Sequence, residues 1–282
     1  MFLPFYISAQ DSTETEDEWK WEWEFDEADF ADFQIKKPTI SVNYGLSEIS
    51  RKDLGTSFAN NSLIELKLGH TNRNTSAYSE NIEKNKFQFV YLNKNTTDLA
   101  GGSETASDIV TNNWQFGVGW SKGYGYKIGS GSAIIAYQTS TLNWTRIDFT
   151  DDSLNQSDER IKTLYDETFR FGTSNETGVR VYATDMIVLE VGYERSIVFE
   201  RHLFWKWAGS RVIELAANGL LDVFIKEIFK SSPAAGPIVF LVLKSALSYG
   251  LYELRQDKMN WPFSSAPPIA FDNIKFGVSF VF

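Results

Sequence analysis

The sequence predicts an all-β transmembrane fold: an antiparallel up-and-down β-barrel, most simply eight-stranded, with an α-helical hairpin inserted before the last strand. Three observations predict it. From Lys37 onward, apolar and polar residues alternate with a period of two over successive segments. The apolar parity is rich in Phe, Trp and Tyr, while the other parity carries Gly, Ser and isolated charges. A soluble sandwich buries aliphatics on one face and solvates the other, whereas a membrane barrel turns its apolar wall to lipid and keeps a polar lumen. Finally, the period changes to that of a helix over 201–268 and returns to two for the closing stretch.

Composition agrees with this. Of 282 residues, 43% are hydrophobic and 15% aromatic, with 22 Phe, 12 Tyr and 9 Trp. That aromatic surplus suits the interfacial girdles of a membrane barrel. The formal net charge of −10 excludes nucleic acid as a partner, because phosphate binding demands clustered Lys and Arg. Cysteine is absent, which removes disulfides, thiol nucleophiles and Cys-based metal sites.

The chain opens with "MFLPFYISAQ", apolar over 2–7 and followed by small residues, and residues 1–10 are expected to be a signal-peptide remnant, although no Lys or Arg precedes Lys20. The acidic segment 11–36 interleaves Trp19, Trp21, Trp23 and Phe25 with charges. It has too little apolar surface to fold alone and reads as a solvated tether, or else as a docking segment or an added strand. Its carboxylates lack the spacing of a calcium loop.

Barrel strands 1–7 are expected within 37–200. "TISVNYGL" places Ile40, Val42, Tyr44 and Leu46 on one face, and "IELKLGH" does the same with Ile64, Leu66 and Leu68. "KFQFVYL" sets Phe87, Phe89 and Tyr91 on the apolar parity, and "NWQFGVGWS" sets Trp114, Phe116, Val118 and Trp120 there. "SAIIAYQTSTLNWT" is a strand whose outward parity is ambiguous, as a bulge would make it. Phe169, Phe171, Val179 and Val181 share a parity in 168–183, as do Ile187, Leu189, Val191, Tyr193, Ile197 and Phe199 in the next strand. The eighth strand, 269–282, carries Ile274, Phe276, Val278, Phe280 and Phe282 on one face. Counting orientations backwards from that strand makes the turns near 127–132 and 183–185 periplasmic, and the stretches 94–112, 148–167 and 201–268 extracellular. The connection over 71–85 is longer than this rule expects.

The terminal "FGVSFVF" resembles the closing strand of Gram-negative outer-membrane β-barrel proteins, which end in alternating aromatics and a final Phe. The resemblance implies a bacterial outer-membrane location, contact with outer-membrane lipid, and recognition by the barrel-assembly machinery through Phe276, Phe280 and Phe282. The long insertion departs from the small barrels of that family.

Within 201–268, Lys206, Ser210, Glu214, Asn218, Asp222, Lys226 and Lys230 recur every four residues and mark one polar stripe of a helix. Pro233 and Pro237 interrupt it, and a second helix follows over 238–254 with Lys244 and Ser248 as its polar edge. The remaining surface, around Leu220, Phe224 and Ile228, is apolar and expected outside the cell. It must be covered by the barrel mouth, by lipid, by a protein partner or by a second copy.

Inward parity directs Glu65, Lys67, Arg170, Glu176, Arg180, Glu190, Glu194 and Lys275 into the lumen. Eight strands leave an interior just wide enough for side chains, so these charges read as a salt-bridged plug, or alternatively as a narrow polar pathway. No hydrolase, zincin or phosphate-loop motif is present, and His70 and His202 fall at opposite ends of their strands. No catalytic residue, metal site or cofactor is therefore expected. The role expected is binding or structural, at the cell surface, through outer loops and hairpin. Porin-like or gated passage of a small or hydrophobic solute is the alternative, and an enzyme of envelope lipid the third.

Overall fold

The computed structural model describes residues 36–99, 101–103, 108–150 and 156–282. The expected leader and, apart from Lys36, the acidic tether lie outside the described residues. Eight antiparallel strands form the body: β1 (Lys37–Ser50), β2 (Asn61–Ser76), β3 (Ser79–Thr96), β4 (Thr111–Lys127), β5 (Ala133–Phe149), β6 (Phe169–Tyr182), β7 (Ile187–Val198) and β8 (Ile269–Val281). Each pairs with its sequence neighbours, and β8 closes the barrel on β1. Helix α1 (Gln156–Tyr165) separates β5 from β6. Helices α2 (Phe204–Ser231) and α3 (Gly236–Asp257), joined by a 3-10 turn at Pro233–Ala235, separate β7 from β8.

The register fixes the shape. Followed around the barrel from Ile40, the paired positions are Leu68, Val90, Val118, Leu142, Thr173, Ile197 and Ala270, and the path returns to β1 at Ser50. The displacement from position 40 to position 50 is the stagger that tilts the strands of a closed barrel. Connections 77–78, 128–132 and 183–186 lie at one end, and the longer 51–60, 97–110, 150–168 and 199–268 at the other.

Solvent preference is inverted relative to a soluble protein. Ile40, Val42, Tyr44 and Leu46 of β1 point outward and are exposed, as are Ile274, Phe276, Val278 and Phe280 of β8. Their inward neighbours Ser41, Asn43, Asn273, Lys275 and Ser279 are buried. At the long-loop end, Phe116 packs on Trp144 at 5.7 Å between ring centroids and on Phe169 at 5.4 Å, forming part of an aromatic girdle. An apolar wall around a polar interior is stable only in lipid, where the closed ladder leaves no backbone group unpaired.

The structure corrects four expectations. Residues 71–85 are not a long connection: β2 and β3 continue to Ser76 and Ser79 and turn through 77–78. Phe87, Phe89 and Tyr91 point into the lumen, and Gln88, Val90 and Leu92 point outward. Space for these rings comes from β4, where Gly119 lies opposite Phe89 and Gly117 opposite Tyr91. The third correction concerns β5, whose pairing is regular on both sides, with no bulge. The fourth concerns the hairpin, which does not stand out from the long-loop end. It turns back along the outer wall until Tyr126 Oη donates to the Ala234 carbonyl and Phe229 stacks on Tyr78 beside the β2–β3 turn.

One close approach is testable. Gly277 of β8 faces inward between Asn43 and Glu190, and a Cβ there would lie 1.7 Å from Asn43 Oδ1 and 3.1 Å from Glu190 Cγ. Gly277→Val is expected to destabilise the barrel by about 1–3 kcal/mol, the usual cost of overpacking. Urea titration of the heat-modifiable, compact gel species measures this, and an unchanged midpoint would contradict the tight packing.

Candidate functional site

The lumen is filled in three layers. In the middle, Lys275 Nζ lies 2.5 Å from Glu176, 2.7 Å from Glu194 and 3.1 Å from Glu65. Lys67 bridges Glu65 at 3.1 Å and Glu176 at 3.3 Å. Arg180 pairs with Glu190 at 3.0 Å, donates to Asn85 and Ser121, and stacks 3.8 Å from the Tyr137 ring centroid. The carboxylates complete their shells with neutral donors: Ser41 and Ser279 to Glu190, Asn273 to Glu194, Asn43 to Glu65, and Tyr137 to Glu176. Buried ions are tolerable only when paired and hydrogen-bonded on all sides.

Of the eight lumen charges expected from parity, Glu65, Lys67, Glu176, Arg180, Glu190, Glu194 and Lys275 meet in this belt. Arg170 does not: it stands at the start of β6 and donates to the Leu164 carbonyl of α1. Parity gives the direction of a side chain but not its height, and Arg170 is level with the mouth. Sequence reasoning passed over Tyr137 and the neutral donors. Tyr137 sits on the strand of ambiguous parity, and Ser and Asn read as merely small or polar.

Above the belt, the long-loop mouth is closed by an apolar cluster. Ile49, Ile147, Val198, Ile269 and Phe271 from the strands meet Phe58, Ile109 and the α1 residues Ile161 and Tyr165. Arg51 ties this cap together, donating to Tyr165 Oη at 3.0 Å and pairing with Asp53 at 2.5 Å and Glu200 at 3.0 Å. Burial opposes its charge, but the bonds to Asp53 and Glu200 and the field of Tyr165 outweigh that and raise its pKa. The Tyr165 hydroxyl, which donates to the Val198 carbonyl at 3.2 Å, is raised mainly by burial, with Arg51 opposing. Below the belt lie Ala133, Ile135, Tyr182, Val188 and Val281, near the stacked rings of Phe87 and Phe89 at 4.7 Å. The cavity between Arg180, Tyr182 and Val281 measures about 10 Å³, the space of about one water.

The hairpin shows the same inversion of polarity. Helix α3 packs on the outward faces of β4, β5 and β6, and α2 packs on α3. The polar stripe of α2 turns inward: Glu214 bonds Arg255 at 2.8 Å and Arg211 at 2.7 Å, while Lys244 bonds Asp222 at 2.9 Å and Asn218 at 3.0 Å. Lys206, Lys226 and Lys230, at the two ends of the stripe, are exposed. Leu220, at 73% exposure, and Phe224, at 55%, point away from the barrel, and Ile228 is half-buried. Aromatic contacts pin both ends of α3. Tyr124 meets Phe240 edge-on at 5.2 Å near the short turns. Near the long loops, Tyr252 and Tyr193 both donate to Asp272, and Arg195 lies over the rings of Tyr193 and Tyr249.

His70 lies on the outward face of β2 opposite Gln88, and His202 lies beyond β7 with its ring 5.0 Å from Phe171, at the other end of the barrel. Among the described residues, no group of His, Cys, Asp or Glu is placed to hold a metal ion. Phe276, Phe280 and Phe282 are exposed on the wall, with the Phe282 amide donating to the Pro38 carbonyl at 2.9 Å.

Two substitutions probe these layers. Lys275→Met leaves three carboxylates with too few cations and is expected to cost about 3–5 kcal/mol. Adding Glu176→Gln should recover part of that loss in a double-mutant cycle read by urea titration, and strict additivity would show that the two groups do not interact. Tyr165→Phe should speed hydrogen exchange across the mouth cap by the equivalent of about 1 kcal/mol while the strands stay protected. Equal loss of protection in the strands would show that the cap is not a separate unit.

No protein-family model matches the chain, and no curated protein matches it either. Among solved structures, the Neisserial surface protein A (NspA) is similar over 87% of this chain and 97% of its own, at 11% identity and a TM-score of 0.39. Ail, the attachment invasion locus protein of Yersinia pestis, is similar over 88% of this chain and 99% of its own, at 7% identity and a TM-score of 0.34. Its complex with the heparin analogue sucrose octasulfate gives the same coverage at 10% identity and a TM-score of 0.32. On its own geometry, a closed eight-stranded wall that is apolar outside and charged within, the chain is a transmembrane β-barrel of the outer-membrane type.

Proposed function

We propose that this protein is a non-conducting barrel of the bacterial outer membrane that binds another molecule at the cell surface through its long-loop end. The observation that carries the reading is the filled lumen: among the described residues, an apolar cap, paired charges and an aromatic floor occupy it from end to end. Among the described residues, the long connections at that end are tied to one another and to the strands. Phe58 bridges Ile109, Asn60 bridges Ser103, Ile147 bridges Asp166, and Lys52 pairs with Asp257 at the end of α3. Segments already held by such contacts present their surface with less ordering cost on binding.

Transport gated by the helices has less support, because the hairpin lies against the outer wall and enters no part of the lumen. Enzymatic chemistry on lipid has less again, with the two histidines at opposite ends of the barrel. Planar-bilayer recording of the purified full chain tests the reading. Electrical silence is expected, with binding to whole target cells retained by barrel-bearing liposomes and lost after proteolytic shaving of the loops. Stable unitary conductance would overturn it in favour of transport.

A further inference from the structure

The outward wall is not apolar everywhere. Along β5 the outward positions run Ile134, Ala136, Gln138, Ser140, Leu142 and Trp144, and along β6 they run Val181, Val179, Thr177, Asn175, Thr173 and Phe171. Over these stretches each outer face is therefore apolar at both limits and polar between them. Ser140 and Asn175 pair across the two strands and hydrogen-bond at 2.9 Å. On β1, β2, β7 and β8, the outward residues over 40–46, 64–68, 187–193 and 274–280 are exposed and apolar. A window of amides and hydroxyls at mid-height would face hydrocarbon, where an unsatisfied polar group is costly.

Helix α3 lies over this window. Gln138, Ser140, Asn175 and Thr177 are half-buried and Thr173 is buried, in contrast to the exposed wall elsewhere. The helix is long and apolar enough to cross a membrane. Its pinned aromatics Phe240 and Tyr252 are about 18 Å apart along the axis. Helix α2 then covers α3. Between Arg211 and Lys226 its charges, Glu214 and Asp222, are engaged by Arg255 and Lys244. Its outer surface over that interval is Val212, Ile213, Leu215, Leu220, Val223 and Phe224, all exposed. The stretch between Arg211 and Lys226, whose two charges are both paired to α3, spans roughly 22 Å at the rise of a helix, close to the height of about 25 Å of a barrel's apolar band.

The geometry points to a second membrane-embedded unit: the α2–α3 hairpin lies within the bilayer against the barrel wall, sealing the polar window with α3 and meeting lipid acyl chains with the outer face of α2. The exposed face of α2 continues the apolar belt of the barrel, which identifies its occupant as lipid. Between Arg211 and Lys226 the charged groups of α2 turn towards the α2–α3 seam, where Asp222 pairs with Lys244 while its side chain stays 40% exposed. Hydrocarbon favours that arrangement and water does not.

The absence of cysteine in the native sequence makes the test direct. Single-cysteine variants L220C and V223C on α2, S140C in the window, V42C on the bare wall and K258C after α3 are each spin-labelled in the full chain. They are reconstituted in phosphatidylcholine vesicles and read once heat-modifiable migration shows a closed barrel. Labels at L220C and V223C should behave as at V42C, relaxed by oxygen dissolved in the bilayer and shielded from an aqueous nickel chelate. K258C should show the reverse, and S140C should be shielded from both. Nickel access at L220C and V223C would place the hairpin in water. Shielding from both reagents there would assign the face to a second copy or another protein. Oxygen access at S140C equal to V42C would show the window uncovered. Any of these three results overturns the proposal.

Discussion

Hydrocarbon offers no hydrogen bonds and no counterions, so a polar group in a membrane must find its partner within the protein. The rest of this structure depends on that constraint. Closing β8 on β1 satisfies the backbone at the barrel seam, and the same closure creates an interior into which side-chain charge can be gathered. Lys275, contributed by the closing strand, illustrates the coupling, because its ammonium joins carboxylates from β2, β6 and β7. Barrel closure and charge neutralisation are in that sense one event. Neither the strand nor the ion cluster is tolerable without the other.

The hairpin meets the same constraint by different means. A helix satisfies its own backbone, so α2 and α3 need only dispose of their side chains. They do so by facing Glu214, Arg255, Asp222 and Lys244 towards each other and leaving leucines, valines and Phe224 outside. Barrel and hairpin are thus both inside-out, and they complete each other. The wall lends α3 a polar surface to cover, and α3 spares the wall an exposed amide.

How much of this was legible in the sequence depended on what each surface touches. Strands β1, β2 and β8 declared themselves because one face meets lipid and the other meets the lumen, so the two parities differ sharply. On β3 the aromatic parity points to the wrong face, because aromatic residues suit a wall and a lumen alike. Phe87, Phe89 and Tyr91 instead fill the lumen, Phe89 and Tyr91 over glycines on β4, a complementarity between strands that a single-strand pattern does not carry. Strand β5 gave no clear parity for a physical reason: its outer face meets a helix, and such a face tolerates Gln138 and Ser140. The four-residue stripe on α2 was plain, but its burial was not, since a stripe of charge normally marks the solvated side. Polar residues over 71–85 read as loop because the strands there extend past the apolar belt.

The placement of the hairpin tip bears on how the chain reaches its final topology. The insertion leaves β7 and rejoins β8 at the long-loop end, yet its turn at Pro233–Ala235 lies at the short-turn end, bonded to Tyr126 of β4. A chain entering the bilayer from the short-turn side must carry the loops 51–60, 97–110 and 150–168 across, whereas the tip need never leave the side from which it came. The α2–α3 contacts are local in sequence, while β1 and β8 join residues as distant as Thr39 and Val281. Local contacts form sooner than distant ones. The hairpin can therefore be assembled while the sheet is still open. Asp272 of β8 is held by Tyr252 of α3 as well as by Tyr193 of β7, so a hairpin formed early would offer the closing strand one of the two groups that fix its place.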